Sequence, residues 1–166
     1  DENLVDKLPA RCGLGHIAGI LHILDKVNPT SSTEFQRPLL ALAETFHRRG
    51  IVVLISDLYA PAEDIIRSLR QFRYRGNDMV VFHVLDQQEK EFKFSKAFRL
   101  EDMETKREVL MVPEEARGEY LTQLNVHIEL IKKECGTLGI DYLLLDTSRP
   151  LDYALYSYLA TRRKSM

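Results

Sequence analysis

Two rhythms of apolar positions run through the chain, and the changes between them mark its elements. Ile17, Ile20, Leu21, Leu24 and Val27 recur at spacings of three and four, which sets them on one face of a helix. Asn28-Pro29 ends that helix, because a residue before proline avoids the helical region. Leu39, Leu40, Leu42, Ala43 and Phe46 repeat the rhythm in a second helix, with Thr33 and Gln36 as a capping-box pair at its start. Pro38 falls in the first turns, where a missing amide matters least, and Gly50 is the expected stop. Then the rhythm breaks. From Ile51 to Ile55 every position is apolar, and the run ends abruptly at Ser56-Asp57. An unalternating stretch rich in Ile and Val predicts a strand buried on both faces, as in a parallel sheet covered by helices. This stretch is the expected centre of the fold.

The pattern then alternates between the two rhythms. Pro61 with Glu63 and Asp64 opens a helix whose buried face is Ile65, Ile66, Leu69 and Phe72, and Gly76 ends it. Met79 to Leu85 reads as a second buried strand that closes on Asp86. Three short, roughly alternating stretches follow (91–95, 98–100 and 108–112), so residues 91–112 are expected to form a small antiparallel hairpin insertion. Pro113 starts a long helix with Tyr120, Leu121, Leu124, Ile128 and Ile131 on its core side, punctuated by Gly136 and Gly139. Ile140 to Leu145 is a third buried strand, running into Asp146, Thr147 and Ser148. Pro150 opens a last helix with Leu151, Leu155, Tyr158 and Leu159, and Arg162, Arg163 and Lys164 at its negative end.

This order predicts one α/β domain over residues 1–166: a three-layer αβα arrangement around a mostly parallel sheet with right-handed crossovers. Three parallel strands make a thin sheet with a flank to cover. Either the weakly alternating residues 3–8, before Pro9, supply a poor edge strand, or a second copy covers the flank. The pattern therefore points to a homodimer or oligomer through an exposed sheet edge, or to truncation.

Composition narrows the function classes. At 166 residues with 45% hydrophobic and 29% charged residues, the chain suits a globular domain with a real core. A net charge of −2 gives no electrostatic case for nucleic acid or an anionic membrane. No apolar run approaches the roughly 20 residues of a bilayer span, so no membrane insertion is expected. Cys12 and Cys135 stand far apart without ligand-spaced neighbours, which points to a reduced, cytoplasmic setting. Residue 1 is Asp, so the chain is expected to be processed or to be part of something longer.

Little advertises catalysis. Gly13-Leu14-Gly15 with Ala18 satisfies a dinucleotide fingerprint, but no convincing strand precedes it and no strand-end acid follows at the needed distance. None of the five histidines pairs at the spacing of a helical zinc site, and His83 falls in a buried strand as a core residue. There is no nucleophile elbow and no phosphate-binding loop. An enzyme is therefore not expected. The strand ends remain: Ser56, Asp57, Asp86 and Asp146 to Ser148, together with the hydroxyl loop 31–33. Oxygen groups converging there suit a hard divalent cation, and the same groups equally suit caps on the helices that follow. A nucleotide or flavodoxin-like site around Asp57, Asp86 and Asp146 is the alternative, since ligands of open α/β sheets bind beyond the strands' carboxyl ends.

The stretch from Pro29 through Thr33, and on through Arg49 to Leu58, resembles the second half of a von Willebrand factor A-like domain. Phe82 to Asp86, Phe98 to Thr105 and Leu138 to Ser148 narrow the resemblance to the uncharacterised bacterial domain of unknown function 58 family, often encoded beside MoxR-type AAA ATPases. It spans essentially the whole chain. In such domains Mg²⁺ or Mn²⁺ is held by an Asp-x-Ser-x-Ser loop, a later threonine and a strand-end aspartate. Thr33 matches the threonine and Asp57 the aspartate, while the first element has no counterpart. Asp146 to Ser148 begins like it, but Arg149 and Pro150 break the pattern. The resemblance thus implies the carboxyl-terminal part of that domain, with its first strands preceding residue 1. It implies an incomplete metal site, with Mg or Mn absent or weakly held. It implies a protein-binding module whose partner surface includes Ser32, Ser56 and Leu58 and whose partner is a MoxR-type AAA ATPase system.

Overall fold

The computed structural model describes residues 8, 11, 13–26, 36–45, 49–93, 98–101, 108–111 and 113–165. The elements in chain order are α1 (Leu14–Lys26), α2 (Gln36–Thr45), β1 (Ile51–Ser56), α3 (Ala62–Tyr74), β2 (Asp78–Leu85), α4 (Gln87–Glu91), β3 (Phe98–Glu101), β4 (Glu108–Met111), α5 (Pro113–Leu138), β5 (Asp141–Asp146) and α6 (Leu151–Ser165). β1, β2 and β5 form a parallel sheet in the order β1-β2-β5, with Leu54 opposite Val81 and Val81 opposite Tyr142. The chain is thus a parallel α/β sheet flanked by helices, as the pattern predicts. β3 and β4 pair antiparallel as a separate two-stranded hairpin between α4 and α5. Of the edge strand expected at residues 3–8, residues 3–7 lie outside the described residues and Leu8 is in no strand. Among the described residues no helix is long and apolar enough to cross a membrane.

The core fills the space between the inner face of the sheet and α2, α3 and α5. Leu69 and Phe72 of α3, Met79 and Val81 of β2, and Ile131 and Cys135 of α5 are each at most 3% exposed. Val52 and Leu54 pack against them from β1. Helix ends are fixed by glycines where the sequence expects them. Gly76 (φ 80°) and Gly139 (φ 65°) take the left-handed conformation after α3 and α5. Asn77 N–H reaches back to the Phe72 carbonyl, and Ile140 N–H to that of Cys135. Both helices therefore end in the same five-to-six-residue loop-back. Arg73 joins the two ends: its Nε donates to the Leu138 carbonyl at 2.9 Å and its Nη1 to the Asn77 carbonyl at 3.0 Å.

Three expectations need correction. The first concerns the centre of the sheet. Among the described residues β2 is the middle strand, and β1 is an edge strand whose Ile51, Val53 and Ile55 are 62%, 50% and 67% exposed. Its inner-facing side chains are the covered ones, while on the outer face α6 packs on β5 and reaches β2. Phe82 meets Tyr158 edge-on there, and the Tyr158 hydroxyl donates to Asp141 at 3.1 Å. β5 is likewise half-buried, not buried throughout. Second, Gly50 does not take the left-handed conformation of a helix stop; its amide donates to Asn77 Oδ1 and its carbonyl accepts from Asp78, so it leads into β1. Third, Glu91 does not open a strand. It ends α4, with Phe92 in a left-handed C-cap (φ 44°) that folds its ring onto Tyr120.

Candidate functional site

The loop after β1 is built by its own side chains. Ser56 Oγ accepts the Leu58 amide at 3.0 Å and donates to Asp57 Oδ1 at 3.3 Å, and Asp57 Oδ1 accepts the Tyr59 amide at 3.2 Å. Such side-chain-to-backbone bonds turn the chain sharply at a strand end. The turn puts Leu58 at φ 52°, a left-handed conformation that an ordinary side chain rarely adopts. What holds it there is burial from one side and hydrogen bonding from the other. The Leu58 side chain is 0% exposed in the core. Its carbonyl accepts both the Ala60 amide at 2.9 Å and the His127 Nε2–H at 3.0 Å. A conformation costing about 1–3 kcal/mol survives only where its surroundings over-determine it, and such positions gather at functional sites. The next residue is thrown outward: Tyr59 is 90% exposed.

Between this loop and α5 lies a cleft of about 400 Å³ at the carboxyl ends of the strands. Asp57, Tyr59, His83, Glu89, Tyr120 and His127 give it its chemistry, and Leu58, Leu85 and Leu124 much of its apolar wall. Tyr120, Leu124 and His127 share one face of α5, by spacings of three and four. His83 closes the floor and is 0% exposed. Its Nδ1 and the Tyr142 hydroxyl are 2.7 Å apart, while its Nε2 has no hydrogen-bond partner among the described residues. Burial pushes the His83 pKa down from its ordinary 6.5; the Asp57 backbone carbonyl opposes this, His127 adds to it, and the Asp57 charge opposes it. Burial likewise pushes the Tyr142 hydroxyl up, so it stays a neutral phenol.

The other strand-end acids fasten loops. Asp86 caps α4: its Oδ1 accepts the Gln88 amide at 2.8 Å, its Oδ2 accepts the Thr147 hydroxyl at 2.9 Å, and Glu89 returns a bond to its amide. Those donors hold its carboxyl below the usual range. Asp146 is paired with Lys90 at 2.6 Å and accepts the Ser148 amide and hydroxyl, which together hold it far below the usual range. The structure therefore brings Asp86 and Asp146 together through Thr147 but lines the cleft with neither. Of the other residues singled out from the sequence, Asp57 and Leu58 line the cleft and Ser56 braces its loop. Ser32 and Thr33 lie outside the described residues. Leu58 offers a partner its backbone only, since its side chain belongs to the core.

Sequence reasoning missed His127, Glu89, Tyr59 and Tyr120 as site residues. One signal was present: Asp86 and Glu89 form a capping box, which would have placed a helix and hence Glu89 beside the strand ends. His127 carried none, because its role depends on the Leu58 carbonyl 69 residues away. Among the described residues no three His, Cys, Asp or Glu side chains converge to hold a metal. The Asp57 Oδ1 and Ser56 hydroxyl are already engaged in their own turn, far short of the roughly six oxygens a hard cation gathers. The described donor set does not fit such a cation. Cys135 is no nucleophile either, since burial, then Glu134, pushes its thiol up to about 11.

Fold and site define an open parallel α/β domain whose cleft lies beyond the carboxyl ends of its strands. Residues 1–129 match the family described as "Protein of unknown function DUF58", and the chain belongs to that family. The matched span contains every residue that lines the cleft and stops within α5, before β5 and α6. No curated protein and no solved structure matches the chain.

Proposed function

We propose that this chain is a non-catalytic protein-binding module that meets its partner at the 56–60 loop and the adjoining cleft. The observation that carries this is the loop itself. A strained, doubly braced turn holds Leu58 rigid and presents Tyr59 to solvent at 90% exposure. Rigid, exposed aromatics beside a pocket have the character of interface anchors. The resemblance to the family often encoded beside MoxR-type AAA ATPases supports such a system as the partner, and the two cysteines, far apart in sequence, support a cytoplasmic setting. The open flank of β1 supports self-association beside it. With the Asp57 turn already closed on itself, the contact needs no Mg²⁺ or Mn²⁺.

Surface plasmon resonance against a purified MoxR-type ATPase tests this reading. Tyr59→Ala should weaken binding at least about tenfold, or ~1.4 kcal/mol, with an unchanged melting temperature. Chelator should leave the affinity of the parent chain unaltered. Absence of binding, or equal binding by parent and variant, would overturn the proposal.

A second reading has one observation in its favour. The unpartnered His83 Nε2 at the floor of a cleft of this size suits a small-molecule site of the nucleotide or flavin kind. A thermal-shift screen of nucleotides and flavins separates the two readings, since a ligand that binds the folded state raises the melting temperature.

A further inference from the structure

We propose that the cleft receives an arginine side chain of the protein partner. This rests on the interaction-module reading above and specifies the chemistry that the partner must bring. Among the described residues the cleft is lined by two carboxylates, Asp57 and Glu89, and by no lysine or arginine. Lys90, one residue beyond Glu89, is engaged by Asp146 at 2.6 Å. The wall is thus electronegative, and its complement is a cation. Without a metal to bridge it, Asp57 repels a carboxylate from a partner. The family resemblance implies an acidic partner residue held through a metal ion, so the sign of the contact is reversed.

Three features favour a guanidinium over an ammonium. Tyr59 and Tyr120 both line the cleft, and a planar guanidinium stacks on aromatic faces. Leu85 and Leu124 offer apolar surface for the three-carbon stem. The floor holds a buried ring nitrogen, His83 Nε2, with no partner among the described residues. When Nδ1–H donates to the Tyr142 hydroxyl, Nε2 carries a lone pair, which accepts one N–H of the guanidinium. A guanidinium has five such N–H groups in a fixed fork, enough to meet both carboxylates and the ring nitrogen. The Glu89 charge acts inside the cleft, where it adds to burial in raising the pKa of Tyr120.

The test is a titration of the ¹⁵N-labelled chain followed by NMR. The probes are three peptides, acetyl-Gly-X-Gly-amide with X as Arg, Lys or Glu. The Arg peptide should shift the amides of residues 56–60 and 120–127 saturably and with higher affinity than the Lys peptide, and the Glu peptide should not shift them. The double variant Asp57→Asn with Glu89→Gln removes both charges while keeping the folding contacts. Asn still accepts the Tyr59 amide, and Gln still completes the capping box with Asp86. It should melt like the parent and bind the Arg peptide at least tenfold more weakly. Four results would overturn the proposal: no saturable shift, a Glu peptide acting on the same amides, a Lys peptide matching the Arg peptide, or a double variant that binds undiminished. Capture of the ATPase unchanged by the double variant would defeat this inference and leave the interaction module standing. Arginine-peptide binding with no protein captured would defeat the module reading instead.

Discussion

At the scale of single residues, His83 and Leu58 set the character of the site. His83 is buried with its pKa below the ordinary 6.5, burial being the largest cause. Just below that value, the unfolded chain therefore binds more protons than the folded one, and stability rises with pH there. The contribution of the neutral ring is complete above 6.5 and is lost as pH falls through the window beneath it. Unfolding free energies taken by denaturant titration from about pH 8 to about pH 5 should fall once the pH drops below the ordinary histidine value, with a slope of at most about 1.4 kcal/mol per pH unit. His83→Gln should flatten that fall, and an equally steep fall in the variant would remove His83 as its source. Leu58 carries strain on its backbone and core packing on its side chain. Leu58→Ala keeps the backbone geometry but empties a fully buried site, so denaturant unfolding should show a loss of about 2–5 kcal/mol. A loss under about 1 kcal/mol would mean that the turn relaxes once its anchor is gone. The burial of His83 was legible from its place in an apolar strand, but the Leu58 turn was not. Serine and aspartate after a strand signal a turn, but the left-handed Leu58 follows from a histidine that arrives from α5.

The elements were legible where local pattern and tertiary role coincide. α3 keeps its apolar face inward, with Ile65, Ile66, Leu69 and Phe72 all buried, because the 3.6-residue period is a property of the helix itself. β1 shows the limit. Its apolar run is indistinguishable from that of β2, yet among the described residues β2 lies between two strands and β1 beside one. Position in a sheet is decided by other strands, and no residue inside 51–56 encodes it. α1 is similar. Its stripe of Ile17, Ile20, Leu21 and Leu24 is drawn as clearly as any, but none of its residues is buried. The open side of β1 leads to a prediction at this scale. Val53 is half exposed, so Val53→Lys should change stability by no more than about 0.5 kcal/mol. A lysine on an edge strand blocks pairing with another strand. In sedimentation velocity the parent chain should associate as concentration rises and the variant should not; a parent that stays monomeric throughout would end the case for self-pairing.

For the molecule as a whole, the resemblance read from scattered motifs and the match over residues 1–129 agree on the family, while the chemistry of the cleft had to await the fold. Cleft residues from Asp57 to His127 are drawn together by the crossovers that join β1 to β2 and β2 to β5, and sequence spacing says nothing about that convergence. Arg73 shows what the convergence depends on. Its guanidinium holds the carboxyl end of α5 to the turn that precedes β2, so one side chain spans the two points where β2 and β5 enter the sheet. The alignment of Val80 with Asp141, and of every pair above it, starts from that junction. Arg73 is in effect the zero mark of a ruler at the amino end of the sheet. His83 can reach back across the sheet to Tyr142, two residues before its own register partner Leu144, because both strands are measured from the same mark.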